Sequence, residues 1–149
     1  GFETVQIRPF RDTLFVFGTT DIKSITTSNT DFVLNDVTSD IGCLASDSVI
    51  EINGNLLFLS QDGMRPIAGT DKVNDVEISS ISRKIQSTVA SLISNSDMTQ
   101  VISVLIRGKS QFRTFFSSDA ISRQETQGII GSIRSLSDTI FRLWGCWCT

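Results

Sequence analysis

Among the residues able to do chemistry, the cysteines come first: Cys43 stands alone, and Cys146 and Cys148 flank Trp147. A one-residue gap is tighter than the spacing of zinc knuckles or thioredoxin-type pairs, and no second pair or histidine completes a site. Reduced thiols, with Cys43 inside a core, are the expected state. Histidine and tyrosine are both absent, which removes the commonest general base, the imidazole metal ligand and the phenol acid. Gly108-Lys109-Ser110 resembles the end of a phosphate-binding loop, but Ser103 occupies the position where that loop needs glycine. Asp36, Asp40 and Asp47 lack the alternation and closing glutamate of a calcium loop. No serine sits in a Gly-x-Ser-x-Gly elbow, and Glu51, Glu77 and Glu125 fall in separate elements. The residue inventory therefore predicts a protein that is not an enzyme and carries no cofactor or metal.

Charge and composition narrow the class further. The balance of 13 Lys+Arg against 16 Asp+Glu gives −3, without the basic patch that grips phosphate. The 21 Ser and 15 Thr, with 2 Pro and 10 Phe, favour short strands joined by polar turns. The longest aliphatic-aromatic run, Leu56 to Leu59, is far below the roughly 20 residues of a membrane-spanning helix. No basic-then-apolar leader opens the sequence, and none of the six Asn lies in a glycosylation triplet. A soluble protein made in the cytoplasm is expected.

The elements that would position these residues are mostly strands. Glu3 to Arg8 alternate as a strand does, with Val5 and Ile7 expected on one face and Thr4 and Gln6 on the other. The chain thus starts inside a strand and stops just after another, Ile140 to Trp144, and reads as an internal piece of a longer protein. Asn53-Gly54 joins Ser48–Ile52 to Leu56–Ser60 in the strongest hairpin signal. Gly108-Lys109 joins Val101–Arg107 to Gln111–Phe116, and Leu136 to Asp138 joins Gly128–Ser135 to Thr139–Leu143. Phe32 to Leu34 is a short strand before a turn-rich loop from Asn35 to Gly42.

One unit recurs: an apolar run, a polar turn with aspartate, and a second strand. It centres on Asp21, on Asp62-Gly63 and on Asp119. The first interval is 41 residues and the second 57. The second contains the clearest helical pattern, about residues 79–94, with Ile78, Ile81, Ile85, Val89, Leu92 and Ile93 on one face and Ser79 or Ser80 as N-cap. Removing about 16 residues for that helix restores a spacing near the ~40–45 residues of a four-stranded propeller blade. The expected fold is mainly β: one unit over residues 1–149, made of β-meander blades of a partial β-propeller with one inserted α-helix.

The stretches RDTLFVFGTTDIKSI, DVTSDIGCLASDSVIEINGNLLFLSQDGMRPIAGT and KSQFRTFFSSDAISRQETQGIIGSIR, with Ile81-Ser82-Arg83-Lys84-Ile85 opening the helix, carry a resemblance. They resemble the propeller region of short-tailed phage tail proteins, the nozzle or tail-tubular-B-like proteins and the related packaged-DNA stabilisation proteins. The likeness extends to about Leu136, and the ending Leu143 to Thr149 departs from it. What the resemblance implies is a structural component of the virion tail that forms a ring, a hexameric homo-oligomer. DNA would pass through its channel without specific binding, and other tail proteins would be its neighbours. The segments interrupting the repeat are the expected subunit contacts: Asn35, Asp36 and Asp40 in the loop, Arg83 and Lys84 on the helix. A generic propeller or β-sandwich module that binds protein or glycan through its loops is the alternative.

A far-UV circular dichroism spectrum dominated by strand, with a minor helical component, is expected of the purified chain. A helix-dominated spectrum would contradict this reading.

Overall fold

Strands β1 (Thr4–Phe10), β2 (Thr13–Gly18), β3 (Ile22–Ser28) and β4 (Asp31–Thr38) form the first of three antiparallel meanders in the computed structural model. The structure describes residues 1–67, 85–117, 125–135 and 138–147. Sheet 2 comprises β5 (Ile50–Ile52), β6 (Asn55–Ser60) and β7 (Gly63–Pro66). Helix α1 (Gln86–Ser94) follows. Sheet 3 comprises β8 (Ile102–Ile106), β9 (Gln111–Ser117), β10 (Glu125–Ser135) and β11 (Asp138–Trp147). Every strand pairs with its sequence neighbour, so the mainly β, meander-built character expected from the sequence is present. The Leu14–Ile25 and Leu56–Ile67 segments form the anticipated hairpins. Asn53 and Gly54 both have positive φ, 50° and 70°, which is what a tight β5–β6 turn demands.

The three sheets stack through β6. All six of its residues are buried, and because successive side chains point to opposite faces, the strand divides itself between two cores. Leu56 and Phe58 join Phe10, Phe15, Phe17 and Ile22 of sheet 1, along with Cys43, Val49 and Ile67. Leu57 and Leu59 join Met64, Phe112, Phe116 and Ile129. Phe17 and Phe58 meet across the first core in a tilted pair 5.3 Å between ring centroids. In the second core the buried hydroxyls of Ser103 and Thr114 satisfy each other at 2.8 Å. Val89 and Leu92 of α1 are buried in this second core, with Ile85 and Ile93 packed against it. The remaining part of the expected helical stripe, Ile78 and Ile81, and the cap candidates Ser79 and Ser80 lie outside the described residues.

The link from sheet 1 to sheet 2 is tied by backbone approach and by one hydroxyl. Gly42 lies against the β2–β3 turn, where a Cβ would fall 2.2 Å from the Thr19 carbonyl oxygen. The next amide, that of Cys43, donates to the Gly18 carbonyl at 2.8 Å. The buried Ser48 hydroxyl donates to the Ala45 carbonyl at 2.6 Å and accepts from the Leu59 amide at 3.1 Å. Leu44 N–H completes the join on the Leu59 carbonyl at 2.9 Å.

Two expectations are corrected. A β-bulge between Thr4 and Gln6 shifts the β1 register, so Gln6 turns toward sheet 2, donating to the Ser46 carbonyl at 3.3 Å. Ile7 is 49% exposed instead of sharing a face with Val5, which packs on the first core. An extra residue in one strand reverses the side-chain parity beyond it. The loop expected from Asn35 is strand to Thr38: Ser24 pairs with Asn35 and Lys23 with Asp36, so the β3 ladder overrides the turn preference of Asn and Asp.

Leu57→Ala should cost about 2–5 kcal/mol by denaturant unfolding, since the emptied site is walled by two sheets. Gly42→Ala should cost about 1–3 kcal/mol or more, because the added methyl meets backbone. Near wild-type stability in either variant would contradict the stacking described.

Candidate functional site

Of the residues expected to make contacts, Asn35 and Asp36 occupy successive, exposed positions of β4 and therefore opposite faces of sheet 1. The Asp36 carboxylate accepts from Lys23 Nζ at 2.5 Å, and this hydrogen bond, reinforced by the acidic neighbourhood of Asp36 and Asp21, raises the Lys23 pKa. Asn35 Nδ2 reaches Thr26 Oγ1 at 3.5 Å. Asp40 lies beyond the strand in an exposed bend. The three residues thus do not converge on one point. Arg83, Lys84 and Asp119 lie outside the described residues.

The turn residues serve the fold. The Asp21 carbonyl accepts from Gly18 N–H at 2.8 Å, closing the β2–β3 turn. Asp62 takes Arg65 in a two-pronged ion pair, with Arg65 Nε 2.7 Å from Oδ1. Gly63 has φ 128°, a conformation that disfavours any side chain.

At one end of the stack, the β5–β6 turn and the β8–β9 turn enclose a cleft of about 270 Å³. Glu51, Asn53, Arg107 and Ser110 supply its polar groups, and Ile52 and Leu105 its apolar ones. The β1–β2 turn reaches the same end, where Arg11 Nη2 donates to the Gly54 carbonyl at 3.1 Å. Among the described residues no group of three acidic, cysteine or histidine side chains could hold a metal ion, and no helix is long and apolar enough to cross a membrane.

The larger surface feature is apolar. Sheet 1 turns Phe15, Phe17 and Ile22 toward sheet 2, leaving Ile7, Val16, Leu14, Ile25, Leu34 and Phe32 on its outer face by strand register. Sheet 3 turns Phe112, Thr114 and Phe116 inward, leaving Ile102, Val104, Arg113 and Phe115 on its outer face. Sequence reasoning missed both faces. The available signal was apolar residues at consecutive positions, as in Val104-Leu105-Ile106, where a half-solvated strand would alternate with polar ones.

Cys43 is fully buried, with Sγ 3.2 Å from the Ala45 carbonyl oxygen and 3.6 Å from Ser48 Oγ. Burial pushes its thiol pKa up, against the smaller opposing effect of its hydrogen bonds. It is thus a packing residue and not a nucleophile. The Asp97 carboxylate accepts from the Thr99 hydroxyl and amide at 2.7 and 2.9 Å, which lowers its pKa and fixes the turn leading into β8.

No family model matches the chain, and no curated protein matches it either.

In the native protein at pH 8, Cys43 should resist alkylation and react only after denaturant is added, read peptide by peptide by mass spectrometry. Because its folded-state pKa is raised, its contribution to stability is intact below the ordinary thiol pKa. It is lost as pH rises above that value, where the unfolded chain ionises first. Cys43→Ala should flatten this alkaline loss, and rapid native labelling of Cys43 would contradict its placement.

Proposed function

We propose that the chain is a β-propeller segment of a non-catalytic structural protein that assembles into a ring at the tail of a short-tailed phage. The observation that carries the propeller part of this reading is the order of strands within the stack. The first strands of the three meanders lie together: β5 runs beside β8, and Gln6 of β1 bonds the segment leading into β5. Meanwhile β4, the fourth strand of sheet 1, is exposed along most of its length. First strands gathered together, with the fourth strand of the first meander on the outside, is the order expected of propeller blades. The second meander has three described strands, followed in the chain by the stretch that interrupts the repeat.

A structural role is supported by where the polar chemistry goes. The buried hydroxyls of Ser48, Ser103 and Thr114 all hold backbone or each other, and the carboxylates of Asp62 and Asp97 are tied to Arg65 and to Thr99. The chain holds no histidine to activate a nucleophile. The phage part of the reading rests on the sequence resemblance, and with it come the sixfold ring, the virion location and the passage of DNA without specific grip.

Electron microscopy of the full-length parent protein tests this. Closed rings, and gold labelling confined to the tail of virions, are expected. A stable monomer under virion-like conditions, or labelling elsewhere, would overturn the proposal.

A further inference from the structure

Asn53-Gly54, at the tip of the β5–β6 hairpin, brings together two residues that can react with each other. A backbone nitrogen can attack the side-chain amide carbon of an asparagine that precedes it, and glycine hinders that approach least because it has no Cβ. Asn53 is the one asparagine of the six that glycine follows; Asn29, Asn35 and Asn95 are followed by Thr30, Asp36 and Ser96, and Asn55 is buried. Asn53 and Gly54 are both exposed and lie beyond the ladder, which closes with Ile52 opposite Asn55. No atom stands within 4 Å of where a Gly54 Cβ would be.

The turn that exposes the pair also keeps it from reacting. Positive φ at both residues, 50° and 70°, defines the mirror image of a type I turn, in which ψ of the first central residue is about +30°. That angle sets the Gly54 nitrogen roughly opposite the Asn53 Cβ about the Cα–C bond, whereas a ring closes only when the two are eclipsed. The turn must therefore open before the atoms can meet. Arg11 resists the opening from sheet 1, because its Nη2 donates to the Gly54 carbonyl at 3.1 Å.

We propose that Asn53 is a site of spontaneous deamidation, and that Arg11 is a positioning residue that slows it by holding the turn closed. The Gly54 nitrogen bonds to Asn53 Cγ and loses its proton, the Cγ–Nδ2 bond breaks, and ammonia leaves a five-membered cyclic imide. Water then opens the imide. Cleavage between the Gly54 nitrogen and Cγ gives aspartate. Cleavage between that nitrogen and the Asn53 backbone carbonyl carbon gives isoaspartate, whose main chain runs through Cβ and Cγ. The sum is amide plus water to carboxylate plus ammonium, with no oxidant or reductant. Isoaspartate adds one main-chain atom to a two-residue turn and displaces the carbonyl that Arg11 holds. Either product adds a negative charge to the cleft that Glu51 and Arg107 line. The inference is independent of the phage reading, so a failure of the virion-labelling experiment leaves it untouched.

Incubation of the chain at mildly alkaline pH tests it, followed by peptide mass spectrometry and by enzymatic methylation of isoaspartate. Native chain should be modified at Asn53 before any other asparagine, about ten- to a thousandfold more slowly than chain in denaturant, as local opening of a turn requires. Arg11→Ala, with folding checked by circular dichroism, should speed the native reaction about two- to tenfold, the range one hydrogen bond commands. Its rate in denaturant should be unchanged. Modification that comes first at another asparagine, or native protection beyond about a thousandfold, which is the range of global unfolding, overturns the site. Equal rates with and without denaturant, or a native rate that Arg11→Ala leaves unchanged, overturns the restraint.

Discussion

A strand with no solvent-facing side is the constraint on which this structure rests. Leu56 to Leu59 place four large apolar side chains alternately on the two faces of sheet 2, and each face must be covered or its hydrophobic contribution is lost. By the usual scale, burying one such side chain is worth about 1.5–3 kcal/mol. Sheet 1 answers with Phe15, Phe17 and Ile22, and sheet 3 with Phe112, Phe116 and Ile129. The three meanders are therefore held in a stack by their middle member, although each is formed by purely local pairing.

The connection into that strand explains why small and polar residues occur where a core would otherwise take larger apolar ones. Gly42 lets two backbone segments touch, Cys43 fills the space behind them, and Ser48 supplies a donor and an acceptor to groups that would otherwise be stranded. A buried backbone group left unpaired costs about 1–3 kcal/mol, comparable to the whole contribution of a core side chain. The residues with apparent chemical potential in this region are thus spent on joining sheets.

That distribution bears on function. Polar groups with defined partners lie in turns and links and, as Ser103 with Thr114 and Lys23 with Asp36, across paired strands, the cleft at the turn end carries further polar groups, and the outer sheet faces are largely apolar. Such faces are suited to packing against other sheets.

The sequence by itself determined the local structure. Asn53-Gly54 and the apolar run Leu14 to Phe17 before its polar turn specify hairpins because turn geometry is set by neighbours in the chain, and the described part of the helix's apolar stripe is legible for the same reason, whereas in the β6–β7 turn the two residues are Gln61 and Asp62 and Gly63 opens β7. The tertiary structure decided what neighbours cannot encode. The β1 bulge exposed Ile7 and turned Gln6 inward, the β3 ladder drew Asn35 and Asp36 out of a loop into a strand, and the stacking order decided which apolar face was covered. Val104 and Leu105 are adjacent and both apolar, so either could have faced the core. Only the position of sheet 2 beneath sheet 3 put Leu105 against the core and left Val104 on the surface, because burial depends on what lies opposite a strand and not on the strand alone.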